Sequence, residues 1–296
     1  TGTLTKVDAG TWTLVGANTY TGGTVINGGT LSVSSLADGS SASNLGQSSN
    51  AASNLLINGG ALLYTGAAAS TDRLFTVGSS GATISASGTG ALIFSNSGYI
   101  ARTSSTSPTL TLSGTGAATL TPIWSNPATS GTSSLTKSGG GTWIVAGVNA
   151  YSGTTTISTG TLKLGNAGAL GAIAGGTSIT SGAALDLNGL NVTLAEPLTI
   201  NGTGISNGGA ITNSSSTTAS YAGPITLASI SSIGGSYGDI EISGNIGGNY
   251  SFTKVGSNTL TLSGSNNFSA GNSQLAKTDG TWGVIPNSNR TVTYAS

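Results

Sequence analysis

Asp239 and Glu241 stand two residues apart, flanked by Ile240 and Ile242. On a β-strand that spacing puts both carboxyl groups on one face, and paired carboxyl groups are the equipment of glycoside hydrolysis. The same alternation describes a solvated strand face backed by two buried isoleucines, and that is the reading adopted. The other acids, Asp8, Asp38, Asp72, Asp186, Glu196 and Asp279, are scattered singly along the chain. The sequence has no histidine and no cysteine, which removes serine–histidine and cysteine–histidine nucleophilic catalysis and the usual zinc sites. No run of alternating aspartates offers a calcium loop. The glycine-rich strings lie between strand patterns rather than before a helix, so they do not read as phosphate loops. The expectation is a protein that is not an enzyme, with no catalytic residues, no cofactor and no metal.

Charge narrows the partners further. Eight basic and eight acidic residues make up 5% of the 296-residue chain, and the net charge is zero. A basic surface for nucleic acid or anionic lipid is therefore not expected. Residues 164–185 carry no charge, but their Gly, Ser, Thr and Asn content argues against membrane insertion of this chain. Lys6, Lys137 and Lys254 recur in one sequence context; they are expected at corners with their ammonium groups in water. Asp72 and Arg73 read as a surface ion pair. Near-zero net charge favours self-association, and Thr, Ser and Asn surfaces can hydrogen-bond laterally without burying charge. The absence of methionine, even at position 1, suggests a secreted chain from which a signal segment has already been removed.

The elements that must carry these residues are announced by a repeat. Residues 4–31 and 135–162 agree at 15 of 28 positions without a gap, a shorter copy spans 252–271, and a worn one covers 275–284. Within each copy apolar residues alternate: Trp12 with Leu14, Trp143 with Val145, Leu260 with Leu262. Period two over four to six residues marks a strand with one buried face. Gly, Asn and Ser clusters cut the strands and supply left-handed corner positions. Tyr20, Tyr151 and Phe268 share one aligned position before a corner and read as plugs at the ends of coils. Between the copies the same style continues, with pairs such as Leu110 and Leu112 or Leu198 and Ile200. Residues 34–54 read as a loop leaving one corner, and Pro108, Pro122 and Pro127 belong at strand starts or corners. This pattern predicts an all-β chain: a single right-handed parallel β-helix, or β-solenoid, of roughly a dozen coils. The solenoid is expected over 1–271, with a C-terminal extension at 272–296 whose last strand caps the rod or adds to a neighbour.

The string L-T-K-x-G-x-G-T-W, followed by G-x-N-x-Y-x-G and closing on G-T-L, resembles the passenger-associated transport repeat of bacterial autotransporters. The resemblance implies an extracellular or cell-surface β-helix; passengers of this type include adhesins, enzymes and surface fibres. Two functions follow as expectations. The first is structural: subunits stacking head to tail as a homopolymer, a surface filament or fibrous matrix, with Thr1, Leu4, Val292 and Tyr294 as candidate assembly residues. The alternative is an adhesin passenger whose lateral Thr/Ser/Asn face contacts glycans or cell surfaces.

Overall fold

In a computed structural model of the chain, residues 2–103, 107–126, 131–268, 276–277 and 282–284 are described. Among them there is no α-helix: short β-strands are joined by corners, with two single-turn 3₁₀ segments at Ala52–Asn54 and Ile205–Asn207. The strands pair in parallel with those of the next turn, giving a parallel β-solenoid of about 11 turns. The chain divides into two compact units, Thr1–Gly153 and Thr154–Ser296.

The first unit has three parallel ladders. One runs through Leu4–Lys6, Thr24–Ile26, Leu55–Ile57, Thr76–Val77 and Ala101–Arg102. A second runs through Thr11–Leu14, Thr30–Val33, Ala61–Tyr64, Ala82–Ala86, Thr109–Ser113 and Ser134–Lys137. The third stacks Ala69–Thr71, Leu92–Phe94, Ala117–Leu120 and Thr142–Val145. Register is exact in parity, so like positions stack on like. Leu31, Leu62, Ile84 and Leu112 form one inward column with no exposed surface. Burying each such side chain stabilises by about 1.5–3 kcal/mol, and a one-residue slip would turn a whole strand inside out.

Turn length varies where loops leave the corners. Thr11 lies beside Thr30, a turn of 19 residues, and Thr30 beside Ala61, a turn of 31. The longer turn carries the expected loop at 34–54. Arg73 holds that loop down. Its guanidinium is buried, 3% exposed, and donates to the carbonyls of Ala37, Ser41, Gly46 and Ser48 and to Ser48 Oγ. The surface pair expected of Asp72 and Arg73 is thus corrected. Arg73 turns inward and adds donors to loop carbonyls, three of which also accept from Thr71 Oγ1, Ser43 N or Ser40 N. Asp72 instead accepts from Gly39 N and Asn50 Nδ2.

The second unit repeats the plan. Thr155–Ile157, Thr177–Ile179, Leu198–Gly202, Ile225–Gly234, Ile246–Gly248 and Asn267–Phe268 form one ladder. Gly160–Leu164, Ala183–Asp186, Ile211–Thr212, the end of Ile225–Gly234, Phe252–Val255 and Ala276–Lys277 form the next. Asn191–Val192, Ala219–Tyr221, Ile240–Ile242, Leu260–Leu262 and Trp282–Val284 form the third. The ten-residue strand Ile225–Gly234 serves two ladders through a register shift opposite Ile200 and Gly202. Pro197 and Pro224 immediately precede strands, and Pro108 does the same in the first unit, where a missing N–H is least costly.

Candidate functional site

The three repeat lysines occupy inward columns. Lys6 stacks beside Ile26, Lys137 beside Leu112 and Lys254 beside Ile233, and all three have no exposed surface. Each ammonium folds back onto the carbonyls of the next two residues. Lys6 Nζ donates to Val7 O at 2.7 Å and Asp8 O at 2.6 Å, with Gly28 O at 3.2 Å. Lys137 Nζ donates to Ser138 O and Gly139 O at 2.8 and 2.7 Å, and Lys254 Nζ to Val255 O and Gly256 O at 3.5 and 2.5 Å. The second acceptor residue is left-handed every time, with φ of 62° at Asp8, 72° at Gly139 and 76° at Gly256. A left-handed corner turns its carbonyls toward the lysine, and the three-donor ammonium satisfies them at a part-buried position. Burial pushes Lys137 down to about 8. The expectation of ammonium groups in water is therefore corrected. The signal was in the sequence: in Leu-Thr-Lys the lysine shares strand parity with the leucine.

The carboxylates do not converge. Asp239 Oδ1 accepts from Thr259 N at 2.7 Å, and Glu241 Oε1 accepts from Ser263 Oγ at 2.8 Å, both from the following turn. Ile240 and Ile242 are buried behind them, as the solvated-face reading requires. No group of three or more metal-ligating side chains occurs among the described residues. Of the aromatic plugs, Tyr151 is fully buried, Tyr20 is half-buried with its hydroxyl 2.9 Å from Thr24 Oγ1, and the side chain of Phe268 lies outside the described residues. Leu4 is half-buried in the first strand of its ladder. Thr1, Val292 and Tyr294 lie outside the described residues.

Glu196 was not singled out by its sequence context. It is 2% exposed, just before Pro197, and its Oε1 accepts from Thr177 Oγ1 at 2.6 Å. The Tyr221 hydroxyl covers the same corner by donating to the Glu196 main-chain oxygen at 2.7 Å. Burial raises the Glu196 carboxyl to about 7, against a smaller opposing effect of the Thr177 hydrogen bond. A carboxyl whose folded value lies above its unfolded one is favoured in the folded state when protonated. The contribution of Glu196 to the second unit is therefore fully present below the unfolded value and lost as pH rises through about 7. The expected loss between pH 4.5 and pH 8 is on the order of 3 kcal/mol, read by hydrogen exchange at Thr177–Ile179 and Leu198–Gly202. Glu196→Gln keeps the acceptor for Thr177 and should flatten that dependence. An unchanged pH slope in the variant would refute the assignment.

The lysine corners are also where the chain meets known proteins. The passenger-associated transport repeat family matches residues 4–33, 135–164 and 252–273, one span for each corner. This chain carries three passenger-associated transport repeats. It is 48% identical over 151 residues to a protein named Adhesin BmaC autotransporter from Brucella suis biovar 1 (strain 1330). That match covers 48% of this chain and 4% of the relative, so the chain spans a small fraction of that protein's length. No solved structure matches it. The Lys-x-Gly of the second and third copies, and Lys6-Val7-Asp8 in the first, is a corner device. It fixes backbone carbonyls and leaves the outward residues of each turn to vary.

Proposed function

We propose that this chain is part of the passenger of an autotransporter adhesin, displayed at the cell surface or released outside it, and that it binds through its outer faces rather than catalysing a reaction. The observation that carries this is the 48% identity over 151 residues to a protein named as an adhesin. The physical layout is in keeping with it. The buried side chains fill the solenoid, the repeat lysines are spent on corners, and the carboxylates of Asp239 and Glu241 are each engaged with the next turn. What the turns present outward is a mixed, mostly uncharged surface of hydroxyls and amides. Adhesion stands above head-to-tail homopolymer assembly because the matched relative is named for adhesion. Beads coated with the purified chain should adhere to cultured cells several-fold more than beads coated with an unrelated β-solenoid. Equal adherence of the two would remove the adhesin reading.

A further inference from the structure

One place on the first unit gathers unused hydroxyls. Three neighbouring corners form a surface cleft of about 280 Å³. The Gly59–Gly60 corner contributes bare backbone on one side. Ser79 and Ser80 come from the next turn, and Ser107 and Pro108 from the turn after it. The floor is strand: Thr83 and Thr111 stand side by side in register, with Thr109 on the same face as Thr111. Their inward neighbours Ile84 and Leu112 are fully buried, which holds the threonines outward.

Among the described residues, the hydroxyls of Ser79, Ser80, Thr83, Thr109 and Thr111 have no protein partner, whereas Ser107 Oγ accepts from Thr132 N at 3.1 Å. The positions of the floor hydroxyls are fixed by the ladder, so a ligand meeting them loses little to ordering the protein. The lining contains no charged side chain and no aromatic ring. An anion would find no counter-charge there, and an apolar ligand would find little beyond Pro108 and Ala82. Hydroxyls that both donate and accept are matched by a ligand that does the same. The volume is near the lower end of small-ligand sites, about 300 Å³, and suits one sugar ring rather than a chain of them.

We propose that this cleft is a binding site for one neutral hexose unit of a glycan, read by the hydroxyls of Thr83, Thr109 and Thr111 on the floor and Ser79 and Ser80 on the rim. The site deepens the adhesin reading and rests on it. One turn of the solenoid would supply specificity, and the surrounding outer face would supply area. Affinity at a single such site is weak, and adhesion through it depends on many copies acting together.

The test is saturation-transfer NMR on the whole chain with methyl α-glucoside, methyl β-galactoside and methyl α-mannoside, and with N-acetylneuraminic acid as the charged counterpart. Transfer to at least one neutral glycoside and none to the acid is expected. The double variant Thr83→Val, Thr111→Val keeps shape and strand preference and should lower the affinity about tenfold with unchanged circular dichroism. Ser79→Ala with Ser80→Ala, on the exposed rim, gives a second loss if the floor variant does not fold. Absence of transfer, equal transfer to the acid, or binding unaltered in every folded variant would overturn the proposal. Bead adherence separates this from the broader reading. Wild-type beads that fail to adhere count against the adhesin, while the NMR result still decides the cleft. Variant beads that adhere as wild type, beside a wild type that adheres, leave the adhesin standing and remove the cleft.

Discussion

Replacing Gly139 or Gly141 by alanine is expected to destabilise the first unit by at least about 3 kcal/mol, while the same change at Gly140 between them is expected to cost nothing. The three glycines are consecutive and indistinguishable by composition. A Cβ on Gly139 would lie 2.4 Å from Gly114 O, on a residue whose φ is +72°. A Cβ on Gly141 would lie 2.1 Å from Gly116 O. Both obstacles are backbone of the preceding turn, which cannot step aside without breaking its own ladder. The left-handed conformation adds about 1–2 kcal/mol for any L side chain at Gly139. Gly140 would meet nothing within 4 Å, and alanine there removes freedom from the unfolded chain, a gain of up to about 1 kcal/mol where the backbone allows it. Urea unfolding of the three variants checks this. Equal midpoints for Gly139→Ala and Gly140→Ala would show that adjacent turns are not in contact as described. The same stacking recurs in the second unit. Gly244 would collide with Gly223 O at 1.9 Å and Gly256 with Gly235 O at 2.1 Å, so the rule is general to corners that sit directly over one another.

Trp143→Ala should destabilise the protein by about 3–5 kcal/mol, and Trp12→Ala by less than about 1 kcal/mol, although the two tryptophans hold the same place in the repeat. Trp143 has no exposed surface and donates through Nε1 to Ser113 O at 2.8 Å. Its loss leaves a large cavity and removes a hydrogen bond to the preceding turn. Trp12 is 45% exposed and has the Lys6 ammonium 5.5 Å from its ring centre. Truncating it removes a half-solvated surface and a cation–π contact of modest value. Unfolding curves followed by circular dichroism, which does not depend on the tryptophans themselves, give both numbers. A Trp12→Ala loss as large as that of Trp143→Ala would mean that the first turn is covered in solution.

Apolar alternation located the strands because a parallel solenoid buries one face of each strand, and Leu110 with Leu112 or Leu198 with Ile200 needed no tertiary information. The glycine clusters located corners, since few other residues take positive φ cheaply. The aligned lysines are visible in the sequence, but their inward direction follows strand parity and runs against the general preference of charge for water. Nothing local in Asp72-Arg73 reveals that four carbonyls of residues 37–48 lie within reach of the guanidinium. Glu196 had no local signal beyond the following proline, because its burial comes from the turns of Thr177 and Tyr221.

By itself, the sequence determined that this chain is a parallel β-solenoid with three passenger-associated repeats, and that it holds no histidine, no cysteine and few charged residues. Those properties depend on periodicity and residue inventory, which are local and additive. Only the tertiary structure decided which face each copy occupies. Leu4–Lys6 and Ser134–Lys137 are the same repeat strand, yet the first lies in the ladder of Thr24–Ile26 and the second in the ladder of Thr109–Ser113. Only the structure decided which of two equivalent tryptophans is core, which glycine of three is indispensable, and which hydroxyls meet in a cleft. Each of these depends on what the neighbouring turn places about 4.8 Å away, and turns of 19 and 31 residues bring quite different parts of the chain to that distance.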